Sequence, residues 1–286
     1  MPFKISDRHI DEFHRFGFTN FENLIPPTLL RELRNMAEQA RAICREKNGP
    51  QEQRLQPIQN YDLDLKPYYE YAELTELVEA IEKILGPDAI YAFIGRESQD
   101  SHAGILFEPV EKPYCTQWHR DWRDNIPGLS IKEWEAQLRD LRLFNQVNTP
   151  LYDDNSLWVI PGSHLRHDLP SEIRRFPERP INGPEMTDEM INEDIEQVCL
   201  EYCLSMSGAV QVNLRAGDFL LYRNSLWHIG SYTTYRKRAT IHDSVWTQEF
   251  REWSSNWPKR EDGGKEMENP NLDTHEYKQW KAAQCV

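Results

Sequence analysis

Residues 117–122 read QWHRDW, which sets His119 and Asp121 two positions apart. On a strand or at a strand end, side chains two apart share a face. One imidazole and one carboxylate then converge on a point, two of the three protein ligands of a mononuclear site that keeps three positions open. Such pairs also arise by chance on surface strands, so a third partner is needed. In NSLWHIGSY, His228 follows the apolar run DFLLY, 109 residues after His119. Alone, next to Trp227, it reads first as a packed, hydrogen-bonded histidine. In YRKRATIH, Arg238 comes ten residues after His228, with Thr240 facing the same side two residues on. An arginine beside a hydroxyl inside a pocket suits a carboxylate, through two charge-assisted bonds and one more donor. The neighbouring Arg236 and Lys237 leave a solvated basic cluster as the other reading.

The elements that must position these residues change character along the chain. The first third reads helical. Ser6 or Asp7 caps a short helix carrying Ile10, Phe13 and Phe16, and a longer one runs from Pro27 to Gly49. Its Leu30, Leu33, Met36, Ala37, Ala40 and Ile43 recur at three and four residues, which makes one buried stripe. A third helix spans roughly 72–85, ending at Gly86-Pro87. Short strands follow: AIYAFIG (89–95), LWVIPG (157–162), VQVNLRAGDFLLY (210–222) and RATIHDSVW (238–246). Val210, Val212 and Leu214 alternate with polar residues, the period of a half-buried strand. Ala216-Gly217-Asp218 reads as a turn. Two interruptions remain: a helix at 130–142 with a Ser130/Glu133 capping box, and a Pro-rich, then acidic and helical stretch at 165–207. Helices first and strands later suggest a β-sandwich or barrel buttressed by helices.

The 286 residues suit one hydrophobic core. Apolar residues make up 39% and charged residues 28%, a soluble globular balance. Nine Trp are many for this length and supply pocket-lining as well as core surface. A net charge of −14 repels phosphate backbones and anionic lipid headgroups, which argues against nucleic acid and membrane partners. The scattered Cys44, Cys115, Cys199, Cys203 and Cys285 form no disulfide framework and read as reduced thiols. No apolar run reaches the roughly 20 residues of a membrane helix, and no signal segment opens the chain. The expected location is cytoplasmic.

His-x-Asp, a long gap, His, and Arg about ten residues on is the order of a jelly-roll oxygenase with a carboxylate co-substrate. With it the sequence resembles the phytanoyl-CoA dioxygenase family of Fe(II)/2-oxoglutarate oxygenases. QWHRDW resembles that family's first ligand motif, including the Trp before the His. DNSLWVIPGSH (154–164) resembles its Asn-Gly-x-Leu-x-x-x-Pro-Gly-Ser-His turn, with Ser156 where Gly is usual. RAGDFLLYRNSLWHIGSY resembles the strand pair that delivers the second His. The opening FHRFGFTNFENLIPPTLLRELR resembles the family's glycine-aromatic, strand, helix start. Together these cover about residues 10–246.

The resemblance implies a mainly β fold with a helical buttress around a double-stranded β-helix (jelly-roll, cupin-like) core. One domain is expected: a helical part at about 1–88, a core at about 89–250 and an extension at 251–286. It implies iron on His119, Asp121 and His228. Arg238, assisted by Thr240, would pair with the distal carboxylate of 2-oxoglutarate, and Gln117 would donate to the co-substrate. The family's clamp arginine usually lies slightly farther from the second His, so Arg236 competes with Arg238. The cofactors are then Fe(II), 2-oxoglutarate and O2, and the reaction is hydroxylation of a C–H bond of a small molecule, with succinate and CO2 formed. Asp121 fills the carboxylate position, which excludes the vacant-site arrangement that admits halide. His164 reads as structural, and the segments at 130–142 and 165–207 as a lid over the mouth. Arg96, Arg123, Arg142 and Arg223 are anion contacts or solvated charges. Trp118, Trp122, Trp158 and Trp227 line a pocket or pack between the two sheets. Two other readings stand beside this one: a cupin-type metal enzyme without 2-oxoglutarate, and a non-catalytic metal-binding module. Oligomeric state is not encoded in any of these features.

Overall fold

The computed structural model describes residues 3–91, 103–124, 129–176 and 181–256. Arg96, Cys285, Trp257, Trp280 and most of AIYAFIG lie outside them. The N-terminal layer is helical: α1 (Asp7–Phe16), α2 (Pro27–Asn48), α3 (Lys66–Ala72) and α4 (Thr75–Leu85). On α1 only Phe13 of the three expected apolar residues is buried, and Phe16 is exposed. The buried face of α2 is Leu29, Leu33, Met36, Ala37, Ala40, Arg41 and Cys44, so Leu30 and Ile43 sit at its margin. The helix expected at about 72–85 is α4, and α3 before it was not expected.

Among the described residues there are eleven strands, with β1 (Phe18–Phe21) and β2 (Arg54–Leu55) between the helices and β3 (Ile90–Tyr91), β4 (Gly104–Phe107), β5 (Tyr114–Cys115) and β6 (Asn145–Pro150) after them. The rest are β7 (Leu157–Val159), β8 (Val210–Gln211), β9 (Phe219–Arg223), β10 (His228–Tyr232) and β11 (Ala239–Trp246). They make two antiparallel sheets. The larger has the order β1-β9-β6-β11-β4-β2, with β3 on the far end of β11, and the smaller is β5-β10-β7-β8. From β4 onward the chain crosses repeatedly from one sheet to the other, which brings segments far apart in sequence face to face. The expected strand at 210–214 is regular only at Val210–Gln211, with Leu214 in an isolated bridge to Asp154. Val210 is exposed, whereas Val212 and Leu214 drop into the space between the sheets.

Each sheet has its own cover. The helices α2, α3 and α4 pack Leu33, Tyr68, Tyr71 and Ile81 on the outer face of the larger sheet, against Val147, Phe219, Leu221 and Ile241. The segment expected to form a lid instead gives α6 (Pro170–Arg175) and α7 (Asn192–Leu204). Ile195, Cys199, Tyr202 and Cys203 of α7 lie on the outer face of the smaller sheet, on Cys115, Trp118, Trp158, Trp227 and Ile229. Those three indoles therefore pack outside the sandwich, not between its sheets. The stretch at 130–142 yields only α5 (Ile131–Ala136), capped by Ser130, whose hydroxyl accepts the Glu133 N–H. With α8 (Gln248–Ser255) it closes one end of the sandwich through Trp134, Leu138, Phe144 and Phe250.

Period-two alternation along β11 sends Ile241, Asp243 and Val245 into the helical layer. Asp243 is buried there, accepting from the Tyr68 hydroxyl at 3.0 Å and the Ser244 N–H at 2.7 Å. Burial pushes its carboxyl up to about 7 from an ordinary value of 3.8. The stabilisation from the neutral form is complete below 3.8 and is lost as pH rises through about 7. Asp243→Asn should flatten that decline. Urea unfolding at pH 8 is expected to find the variant more stable than the wild type by up to about 4 kcal/mol. An unchanged pH slope would show that the carboxyl is ionised in the fold.

Candidate metal centre

His119 sits just past β5, His228 opens β10, and the two residues exchange backbone bonds: His119 N–H to His228 O at 3.1 Å, and the reverse at 3.0 Å. Such a reciprocal antiparallel pair brings side chains close. The imidazole centroids lie 4.2 Å apart. Asp121 reaches the same point after a sharp turn, its N–H bound to Asn224 O at 2.9 Å, and Trp122 follows with φ 68°. Convergence therefore comes from one bridge and one turn, with no continuous strand under the motif. Nε2 of His119 and of His228 stand 3.4 and 3.7 Å from the Asp121 oxygens, and the three ligand atoms lie within 4.8 Å of one another.

The electrostatics fit a cation between these atoms. Each Nδ1–H donates to a backbone carbonyl, His119 to Gln117 at 2.8 Å and His228 to Leu226 at 2.9 Å. That fixes the tautomer in which both Nε2 atoms face the carboxylate. Burial alone would lower His119, but the bonded, charged Asp121 overcomes it and raises the imidazole to about 9. Burial and the neighbouring charge on His119 push His228 down to about 4, against the pull of Asp121. Burial opposes ionisation of Asp121, yet the His119 bond and the two imidazoles hold it well below the usual carboxylate range. Two imidazole nitrogens and one carboxylate oxygen are a donor set suited to Fe(II), with room left for other ligands. A surface groove between the end of α2 and residues 186–195 contains none of the three.

A buried charge network holds both ligand segments. Arg120, fully buried, donates to the Ser163 and Ser225 carbonyls at 3.0 and 3.3 Å and pairs with Asp168 at 3.0 Å. Arg123 pairs with Asp124 and Asp168, each at 2.8 Å. Both guanidinium groups lie over Trp227, at 5.3 and 4.7 Å, and Trp227 Nε1 donates to Glu172 at 3.2 Å. Ser163 completes the tie, its hydroxyl accepting the Trp227 N–H at 2.9 Å and donating to Ile160 O at 2.7 Å. The Pro-Gly-Ser-His turn thus grips the residue before His228 and, through Arg120, the residue after His119. His164 is buried, donates to His14 O at 3.2 Å, and is neutral because burial and the Arg223 charge push it down to about 3. It lies so close beneath Gly17 that a Cβ there would meet its ring at 2.5 Å. Arg123 and Arg223 are neither surface charges nor open to a ligand. Arg223 is wholly buried, with Nη2 on Leu138 O. Arg142 is a peripheral charge paired with Asp88 and Glu249.

Arg238 and Thr240 face into the sandwich and are buried, whereas Arg236 is exposed. Both already have a partner that the sequence did not reveal. Asp154 accepts Arg238 Nε at 2.7 Å and the Thr240 hydroxyl at 2.5 Å. Arg238 Nη1 is buried with no hydrogen-bond partner, and the guanidinium lies 5.0 Å from the Tyr232 ring. Gln117 contributes its carbonyl to His119 and is itself half-buried. Asp154 stands just before the Asn-Ser-x-Trp turn, and its acid type in a buried motif was the one available signal.

The family model for phytanoyl-CoA dioxygenase (PhyH) matches residues 13–238, most of the chain. The chain belongs to the PhyH family. Solved structures with the same fold include AviO1 from Streptomyces viridochromogenes Tue57, at 16% identity and TM-score 0.54, covering 87% of this chain and 97% of that one. The epimerase SnoN, in complex with Fe3+, alpha ketoglutarate and nogalamycin RO, is also 16% identical, with TM-score 0.53 and coverages of 84% and 83%. EctD from S. alaskensis, with 2-oxoglutarate and 5-hydroxyectoine, gives 16%, 0.51, 86% and 77%. No curated protein sequence gave a match. Among the described residues of this PhyH chain, no helix is long and apolar enough to cross a membrane.

Arg120→Met removes a buried cation and leaves the Ser163, Arg166 and Ser225 carbonyls and part of Asp168 without their donor. A loss of about 3–5 kcal/mol is expected in urea unfolding. A loss below about 1 kcal/mol would mean that Arg123 alone holds the two segments.

Proposed function

We propose that this chain is a non-haem Fe(II) oxygenase that uses 2-oxoglutarate and O2 to hydroxylate a C–H bond of a small molecule, releasing succinate and CO2. The observation that carries this reading is the convergence of His119, Asp121 and His228 within 4.8 Å, in a family member that also buries an arginine on the inner wall. The crossing of successive strands between two antiparallel sheets supports a double-stranded β-helix as the frame. Bound there, iron and co-substrate supply the oxidising power, through decarboxylation of 2-oxoglutarate by O2.

What the protein adds is placement. His119 and His228 offer Nε2, and their Nδ1–H bonds to carbonyls keep both rings aimed. Asp121 keeps its charge and offers one oxygen. Arg238 is the clamp for the distal carboxylate, since Nη1 has a proton to donate and no partner within the fold. Asp154 is its positioning residue. By taking Nε it fixes the plane of the guanidinium, and by taking the Thr240 hydroxyl it ties the fork to β11. Thr240 then acts on the co-substrate through Asp154, and Gln117 is a further donor at the mouth. The burial around Arg238 excludes water that would compete for the carboxylate.

Titration of 2-oxoglutarate into anaerobic Fe(II)-loaded protein should develop the weak visible absorption of the chelate. Arg238→Ala is expected to need on the order of 100-fold more co-substrate, and Asp154→Asn about tenfold more, with iron stoichiometry kept. Absorption unchanged in Arg238→Ala would move the clamp to Arg236. No absorption with iron bound would leave a metal enzyme that does without 2-oxoglutarate.

A further inference from the structure

Beyond Thr240 the inner wall of β11 continues with His242, Ser244 and Trp246, two residues apart and on one face. Arg238 and Thr240 are buried, but these three are half-buried, so the wall opens as it passes the triad. His242 lies within the electrostatic reach of Asp121 and His228, and its Nδ1 meets Asn148 Oδ1 at 2.8 Å. An amide oxygen only accepts, so Nδ1 carries the proton and the neutral ring keeps Nε2 as an acceptor. Burial and the Arg54 charge keep the ring in that neutral form.

Three indoles gather beside this polar stretch around the buried Phe250. Trp122, next to Asp121, is 5.2 Å from Phe250 and 5.4 Å from Trp253. Trp246 is 5.0 Å from Phe250. All three are half-buried, while Phe250 at their centre is 4% exposed. Trp122 has φ 68°, a conformation costly for a bulky residue and found mainly where function requires it.

Three kinds of small molecule compete for such a half-buried surface. An aliphatic acyl chain would cover the indoles and leave His242 Nε2 and the Ser244 hydroxyl without partners, which costs binding. As a coenzyme A thioester it would also bring phosphates to a chain of net charge −14. A flat aromatic ring stacks well but likewise offers nothing to the polar strip. A saturated ring bearing hydroxyls meets both demands, with an apolar C–H face for indole and O–H groups for imidazole and amide.

We propose that the substrate presents a sugar-like hydroxylated ring, seated on Trp122, Trp246 and Trp253, with one hydroxyl donating to His242 Nε2. This rests on the oxygenase reading of the triad. Nuclear magnetic resonance saturation transfer from the metal-free protein to methyl glycosides of the common hexoses and 6-deoxyhexoses tests it, with octanoyl-CoA and anthraquinone-2-sulfonate as the competing probes. Ring-proton saturation of a glycoside is expected. Affinity should fall about tenfold in Trp246→Ala and in His242→Ala. His242→Gln, which keeps an acceptor, should recover part of it, and Leu204→Ala on the exposed side of α7 serves as the control. The same glycoside should raise succinate release by the Fe(II)-loaded enzyme. Binding of octanoyl-CoA or the anthraquinone without any glycoside, no binding of any probe, or glycoside binding indifferent to both substitutions overturns the proposal. Wild-type protein that binds the glycoside but develops no 2-oxoglutarate absorption would retire the oxygenase reading and leave the ring site standing.

Discussion

Everything chemical in this molecule depends on one backbone contact, the reciprocal pairing of His119 with His228. Two strands from opposite ends of the β region must arrive in register there, because a slip of one residue would turn either imidazole to the other side of the sheet. The pairing is short, with two bonds and no ladder beyond it on the Asp121 side. Such a bridge is weak alone, and the surrounding structure makes it unique.

The reinforcement is ionic where an apolar core would have served stability as well. Arg120, Arg123, Asp124, Asp168 and Glu172 surround Trp227 in space closed to water. Buried ion pairs add little net stability over a hydrophobic replacement, because desolvation offsets most of their attraction. Their directionality is the gain. A guanidinium that must satisfy particular carbonyls admits one placement of the segment that carries it, whereas leucines would admit several. The same economy recurs at Arg238, where an internal carboxylate fixes one edge of the fork and leaves the other to a ligand.

The ligand triad was legible in the sequence because its signal is local and chemical. His119 and Asp121 share one short motif, and His228 and Arg238 stand ten residues apart at the starts of successive strands. The partners of those residues were not legible. Asp154 lies 84 residues before Arg238, and no periodicity marks a carboxylate that will be buried against it. Arg123 read as an anion contact or a solvated charge and Arg120 was not singled out, since burial of a charge depends on tertiary contacts that composition does not reveal. The helical layer was readable from its three-and-four spacing, although α3, only seven residues long, was missed because so short a helix barely repeats that spacing. Strands such as β2 and β5 have two residues each, too few to carry a period of two. The segment at 165–207 was misplaced for a different reason. Its place after the first ligand motif suggested a lid, but Ile195, Cys199, Tyr202 and Cys203 give α7 one apolar stripe, and that stripe needs a sheet beneath it.

The stretch that matches the family model stops at Arg238. The residues proposed to hold metal and co-substrate, Thr240 apart, lie at or before that point, whereas His242, Trp246 and Trp253 come after it. Strand β11 is therefore the hinge between two tasks: the start of its inner face, Arg238 and Thr240, is tied to Asp154, and its far end carries the side chains proposed to meet the substrate. A change of residue at 246 or 253 reaches the second task without touching the bonds that hold the first.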